Sequence, residues 1–239
     1  MSTSECFSFQ AIGQVHSCYK EKFGIPRQPG LVKEARGAIE IFSPFDQDVA
    51  FRGLDAFSHF WVVFVFHQHL KTQWSPTVRP PRLGGNQRHG VFATRSPVRP
   101  NPIGLSLYSF EGMERREGKL MLNISGLDLL DQTPVIDIKP YVSYTDCKVN
   151  TVNGFVKDKP SAVLNVSFSE RANVQLTQAS IKNKDLGRLI RHTIELDPRP
   201  AYLAEKQTEK TLYAMRLLEF DIKWTVDQHQ AEVIEISHS

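Results

Sequence analysis

The chain has 239 residues, 41% of them apolar and 23% charged, a balance that supplies a packed core and excludes a disordered or fibrous protein. Its longest apolar run, residues 60–66, is seven residues, far short of the roughly 20 that span a bilayer. Residues 1–10 carry neither the basic start nor the apolar stretch of a secretory signal. The three cysteines, Cys6, Cys18 and Cys147, are widely spaced and form no C-x-x-C pair, which argues against a disulfide scaffold or a structural zinc and fits a reducing cytoplasm.

In chain order the first two thirds read as β-rich. Residues 9–15 and 38–42 are short strands, and FWVVFVF at 60–66 is a continuous apolar, β-branched and aromatic run that predicts a strand buried on both faces. Residues 103–110, 119–124 and 135–138 are further strands, broken by Gly or Pro. Many short strands with regular breaks predict a small barrel or sandwich rather than a doubly wound sheet. Residues 149–161, polar with Gly154 and Pro160, read as a linker between a domain at 7–148 and a small α+β domain at 162–239. In the latter, 163–168 alternates like a strand. Leu186, Leu189, Ile190, Thr193 and Ile194 fall at helical spacing behind Asn183 or Asp185 as cap, and Asp197-Pro198 ends that helix. Phe220, Ile222, Trp224 and Val226 share one face of a strand whose hairpin partner is 231–236, which completes a β-α-β-β tail.

The net charge of +3 is unevenly placed. No Asp or Glu occurs between Asp55 and Glu111, where Lys71, Arg79, Arg82, Arg88, Arg95 and Arg99 supply six positive charges, leaving the rest of the chain at about −3. Such a segment suggests an anionic partner. Within it lies GVFATRSPVRPNPIGLS (90–106), where Pro97, Pro100 and Pro102 stiffen the backbone that carries Arg95, Arg99 and Asn101. A preorganised anion or carboxylate clamp loses little loop entropy on binding. PTVRPPRLGGN (76–86) repeats the recipe with Arg79 and Arg82, and GIPRQPG (24–30) places Arg27 and Gln28 between prolines. In GLDLLDQTPVIDIKPY (126–141) Asp128 and Asp131 flank two leucines, and Asp137 shares a strand face with Lys139, either as a free base or as an ion pair. His67 and Gln68 follow the apolar strand as potential hydrogen-bond donors; His67 and His69 without a third ligand do not make a metal site. The P-loop, Rossmann, G-x-S-x-G and H-E-x-x-H signatures are all absent.

Taken in order, GIPRQPG, GLDAFSHFWVVFVFHQ, RPPRLGGN, GVFATRSPVRPNPIGLS and GLDLLDQTPVIDIKPY closely resemble the TsaA-like or TrmO family, the tRNA N6-threonylcarbamoyladenosine N6-methyltransferases. The resemblance covers roughly residues 7–148 and reaches the tail through LDPRPAY (196–202). It implies a mainly β chain with a small β-barrel that binds S-adenosylmethionine and a smaller α+β domain that assists tRNA recognition. It implies a cytoplasmic homodimer with the cofactor near the subunit interface, acting on tRNA that carries threonylcarbamoyladenosine beside the anticodon, with no membrane and no metal. Carried over residue by residue, the cofactor site comprises Pro26, Arg27 and Gln28, then His67 and Gln68, Arg95, Leu105, and Asp128, Leu129, Leu130 and Asp131. Substrate contacts fall to Arg95, Arg99, Asn101, Arg79, Arg82, Arg88 and Lys71, and the general base to Asp137 or His67, with a water or the substrate's own carboxylate as rivals. A non-catalytic tRNA-binding module, or a methyltransferase for another substrate, is the alternative reading.

Overall fold

The computed structural model describes residues 5–70, 73–80, 87–156, 162–199 and 210–239. Lys71, Arg82 and residues 200–202 of LDPRPAY lie outside them. Among the described residues no helix is long and apolar enough to cross a membrane.

The first part of the chain forms β1 (Gly13–His16), β2 (Arg36–Ile41), β3 (His59–Val65), the two-residue strands β4 (Thr77–Val78) and β5 (His89–Gly90), β6 (Ile103–Arg116), β7 (Lys119–Ser125) and β8 (Pro134–Pro140). Six of them close into a barrel in the order β1-β2-β7-β6-β3-β8, with β8 pairing back onto β1, and β4 and β5 pair separately. Every pairing in the barrel is antiparallel, so one end gathers the exits of β1, β3 and β7 and the entries of β2, β6 and β8. The barrel interior is set by alternation. Phe60, Val62 and Phe64 of β3 point in and are fully buried, while Trp61, Val63 and Val65 are half-buried on the outside. The strand is therefore not covered on both faces: its continuous apolar run lines a core on one side and the barrel's outer wall on the other. Gly104 is needed where β6 passes Phe64, since a Cβ there would sit 2.2 Å from the ring.

After the single-turn helix α1 (Ser143–Asp146), the tail contains β9 (Asn165–Phe168), α2 (Glu170–Ala179), α3 (Leu186–Glu195), β10 (Thr211–Leu217), β11 (Phe220–Asp227) and β12 (Gln230–His238). The sheet runs β10-β11-β12-β9, with β9 parallel to β12 and the other pairs antiparallel. The β-α-β-β expectation thus lacks α2 and β10. Six of the ten residues of Glu170–Ala179 are polar and its core face is only Ala172, Leu176 and Ala179, with Ala172 alone fully buried, so its apolar period is weak; its start is fixed by Ser169, whose side chain accepts the Ala172 N–H at 3.2 Å. In β10 the outward Leu212 and Ala214 are apolar and blur the alternation of the inward Met215 and Leu217.

The two parts share one continuous core. Leu218 N–H donates to the Cys18 carbonyl at 2.7 Å, Tyr19 bridges to Leu217, and the Phe23 ring stacks on Trp224 with centroids 5.8 Å apart. Glu34 accepts from His192 Nδ1 of α3 at 2.7 Å.

Candidate functional site

Apart from Leu105 on β6 and Asp137 on β8, every described residue predicted for the site lies in a connection at one end of the barrel. The connections are 17–35 after β1, 66–102 after β3 and 126–133 after β7. The first and third are tied together by backbone. Gly30 N–H donates to the Gly126 carbonyl at 2.8 Å, and Gly126, at φ 77, approaches so closely that a Cβ would lie 3.1 Å from the Gly30 Cα. This contact docks the Pro26–Gln28 loop beside the Asp128 loop. The second connection joins them through Arg95, whose Nη1 donates to Gln28 Oε1. Gln28 in turn donates to the Arg27 carbonyl at 2.6 Å, and Arg27 Nη2 reaches the Arg199 carbonyl at 3.3 Å. Pro26 and Arg27 also line a small cleft shared with Thr193, Leu196 and Pro198 at the end of α3. A broader groove, lined by Phe57, Phe110 and Met113, lies at the other end of the barrel and holds none of the predicted residues.

Asp128 is the electrostatic centre of this end. Its carboxyl accepts from Tyr108 Oη at 2.5 Å and from Ser106 Oγ at 3.1 Å, both projecting from the inward face of β6. Burial pushes the Asp128 carboxyl up to about 6, against the hydrogen bonds from Tyr108 and Ser106 and the positive charge of Arg95, which hold it down. Asp131 has a different task. Its two oxygens take the Ser17 N–H at 2.7 Å and Lys20 Nζ at 2.8 Å, while its own N–H donates to the Tyr19 carbonyl, so it pins the exit of β1. Between them Leu129 is buried in the core and offers a ligand only its backbone, and the Leu130 carbonyl accepts from Thr133 Oγ1 at 2.6 Å.

His67 and Gln68 lie in the short turn after β3, which is fastened to the arginine loop by Phe66 N–H donating to the Pro102 carbonyl at 2.8 Å. Burial, then the nearby positive Lys22, lower the His67 pKa below the usual 6.5, and His69 is lowered by the same causes. The imidazole is therefore neutral at pH 7 and able to accept a proton. Asp137 is occupied otherwise. It lies 2.6 Å from Lys139 Nζ on the barrel's outer wall and accepts the Ile138 N–H at 2.9 Å, the ion-pair alternative weighed from its sequence context. Leu105, 54% exposed, shares that wall with Val63 and Asp137 through the register of β6, β3 and β8.

Arg99 turns back on its own loop, with Nη1 donating to the Thr94 carbonyl at 3.3 Å and its guanidinium 6.0 Å from the Phe92 ring centre. The Asn101 carbonyl accepts from Ile103 N–H at 2.7 Å, which sets the entry of β6 and leaves the side chain at the surface. Arg79 and Arg88 are exposed beside β4 and β5, Arg88 donating to Thr77 Oγ1 at 2.9 Å. Ser106, Tyr108 and Lys22 were not anticipated. The signal for the first two is polar residues at inward positions of a strand whose outward residues, Leu105 and Leu107, are apolar. Lys22 has no local signal.

The donor set suits a zwitterionic ligand: a guanidinium and a buried carboxyl lie close enough that the charge of Arg95 lowers the Asp128 pKa. Among the described residues no group of three or more His, Cys, Asp or Glu is arranged to hold a metal ion.

Comparison with known proteins bears on the same regions. Residues 14–147 match the family model described as the tRNA-methyltransferase O N-terminal domain, and residues 161–239 match the TrmO C-terminal domain. The chain is 45% identical over 230 residues to the tRNA (adenine(37)-N6)-methyltransferase of Escherichia coli (strain K12), covering 96% of this chain and 97% of that protein. It is 46% identical over 218 residues to a Pseudomonas aeruginosa protein named "Putative S-adenosylmethionine-dependent methyltransferase RcsF", covering 91% of each. A crystal structure of TrmO from Pseudomonas aeruginosa superposes with a TM-score of 0.79 at 37% identity, over 98% of this chain and 99% of that one. With both domain models matched in order along one barrel-and-tail architecture, the chain belongs to the tRNA-methyltransferase O family.

Proposed function

We propose that the protein is an S-adenosylmethionine-dependent tRNA methyltransferase that transfers a methyl group to N6 of N6-threonylcarbamoyladenosine beside the anticodon. The observation that supports it most directly is the convergence of Arg95, Gln28 and Asp128 at one barrel end, in a chain that matches the family over both domains.

In this reading residues 7–148 are the cofactor-binding and catalytic domain, 149–161 the linker and 162–239 the domain that assists tRNA recognition. Pro26–Gln28, His67, Gln68, Arg95, Leu105 and the Asp128–Asp131 loop hold the cofactor, which when bound supplies an electrophilic methyl group on a sulfonium. The chain's own work is alignment, because in-line transfer gains most from fixing the reacting atoms in a near-attack geometry. The rigid proline-interrupted loop and the Gly30–Gly126 clasp serve that end. The nucleophilic nitrogen belongs to a urea-like group, whose lone pair is delocalised and whose proton must leave during transfer. His67 is the preferred base, since it is neutral at pH 7 and carries no carboxylate partner among the described residues, whereas Asp137 is paired with Lys139. A guanidinium suits the threonyl carboxylate, and Arg95 is better placed for it than Arg99, which is folded onto its own loop. Arg79 and Arg88, with Lys71 and Arg82, supply phosphate contacts. The enzyme works as a homodimer in the cytoplasm, where its three unpaired cysteines are stable.

The test is to incubate the purified protein with S-adenosylmethionine and tRNA with or without the threonylcarbamoyl group, then digest and analyse the nucleosides by mass spectrometry. The expected result is a methylated nucleoside in the modified sample alone. Methylation of both samples removes the threonylcarbamoyl requirement. Cofactor binding without product in either points to another substrate, and tRNA binding without cofactor binding returns the chain to a non-catalytic module.

A further inference from the structure

Two hydroxyls inside the barrel reach the Asp128 carboxyl, and the proposed function gives them no task of their own. Ser106 and Tyr108 alternate with outward residues of β6 and are 3% and 1% exposed. Both reach the same carboxyl. Tyr108 Oη donates to Asp128 Oδ1 at 2.5 Å, and Ser106 Oγ lies 3.1 Å from Oδ1 and 3.4 Å from Oδ2. A carboxyl with two hydroxyl donors is an expensive way to fill a barrel end. Apolar side chains of the same volume pack as stably, while a buried polar group is costly if left unpaired. The arrangement makes sense if the carboxylate itself is needed. Both donors favour Oδ1, so that among the described side chains Oδ2 has only the long Ser106 contact.

We propose that Ser106 and Tyr108 are positioning residues for the cofactor: from inside the barrel they lock the Asp128 carboxylate so that Oδ2 meets a hydrogen-bond donor of S-adenosylmethionine. This rests on the Asp128 loop being part of the cofactor site. The donor is the α-ammonium, a ribose hydroxyl or the adenine amino group, because a carboxylate accepts and cannot donate.

The proposal has a pH signature. The groups that face Asp128 are Tyr108 and Ser106 from β6, Arg95 from the proline-rich loop and Tyr19 from beyond β1; its own N–H also hydrogen-bonds the carboxyl. Burial holds the group near 6, and the two hydroxyls and Arg95 keep it from rising further. Below that pH the carboxylate is protonated and the acceptor is lost, so cofactor affinity falls on the acid side. Removing the Tyr108 hydroxyl withdraws a bond that stabilises the charged form, and the fall moves to higher pH.

The experiment is calorimetric titration of the full chain with S-adenosylhomocysteine from about pH 5.5 to about pH 9, for the wild type, Tyr108→Phe, Ser106→Ala and Asp128→Asn. In Tyr108→Phe the acid limb of affinity should move up by about one pH unit, a roughly three-fold weakening near pH 6.5 that grows to about eight-fold near pH 5.5 and disappears by about pH 8.5. Ser106→Ala should shift the limb in the same direction by less, and it carries the test if Tyr108→Phe fails to fold. Asp128→Asn should bind weakly at every pH. Uniform weakening of Tyr108→Phe at all pH values means loosened packing and overturns the proposal, as does an unshifted limb in both hydroxyl variants. If Asp128→Asn binds as the wild type does, the assignment of this loop to the cofactor falls, and the proposal with it.

Discussion

His67 lies two residues beyond β3, in a turn held against the arginine loop, and its basicity is set by its surroundings. Burial and then Lys22 lower its pKa below 6.5, so at neutral pH it is unprotonated. If it takes the N6 proton, His67→Gln should reduce kcat by about 10²-fold. Lys22→Gln removes a positive neighbour and lets the pKa climb back toward 6.5, so the acid limb of kcat should move to higher pH with the high-pH plateau kept. Profiles of kcat against pH for both variants and for Asp137→Asn check this, and a larger loss in Asp137→Asn than in His67→Gln assigns the base to Asp137. At this scale the sequence is read best where chemistry is local. Arg95 and Gln28 stand out because nearby prolines stiffen the loops that carry them, and they meet. Arg99 was singled out for the same reason and instead donates to the Thr94 carbonyl, since loop stiffness does not say which way a side chain turns. Tyr108 and Ser106 escaped because their partner follows another strand, and nothing in an alternating run names a partner some 20 residues away.

Among the elements, α3 joins the two halves. Its apolar stripe of Leu186, Leu189, Ile190, Thr193 and Ile194 is buried, and His192 extends from it to Glu34 in the connection after β1. Burial would raise the Glu34 carboxyl, but the hydrogen bond from His192, backbone hydrogen bonding and the positive charges of His192 and Arg188 outweigh it and lower the pKa. The stability this pair contributes is present above the ordinary glutamate range and is lost as pH falls through the lowered value. The junction also has an aromatic part. Phe23 stacks on Trp224 and lies 6.3 Å from Tyr213, bringing the loop that precedes Pro26 onto the tail sheet. Phe23→Ala should lower stability by about 2 kcal/mol, less than a fully buried phenylalanine would cost because this ring is partly exposed. Urea unfolding followed by tryptophan fluorescence and circular dichroism measures it; an unchanged midpoint would show that the stack does not hold the halves together. The strong 3.6-residue period of α3 made it legible, as did the alternation in β11. By contrast α2 and β10 were not, because a mostly polar helix and a strand with apolar residues on both faces lack the contrast that periodicity needs.

For the whole molecule, the outer wall of the barrel is the feature that a single chain does not explain. Trp61, Val63 and Val65 of β3 stand half-buried beside Ile103 and Leu105 of β6, which are 37% and 54% exposed, and the strand register places Val63 directly between Leu105 and Asp137. Soluble monomers seldom leave a contiguous apolar wall to water, and this one adjoins the candidate site through Leu105. A second copy of the chain seated there would cover the wall and put the two sites near the interface, which is the arrangement the proposed homodimer requires. Val63→Asp tests this without touching the barrel core, because the side chain points outward. The new carboxylate would face Asp137 across the strand pair, where like charges directly opposite are destabilising, and would also have to be desolvated in any apolar interface. Light scattering on a sizing column should then read one chain mass for the variant and two for the wild type, with circular dichroism confirming that the barrel is intact. Affinity for S-adenosylhomocysteine should fall together with the dimer if the partner helps complete the site. A variant that stays dimeric moves the interface to another face of the molecule, and a variant that becomes monomeric with full affinity separates assembly from cofactor binding.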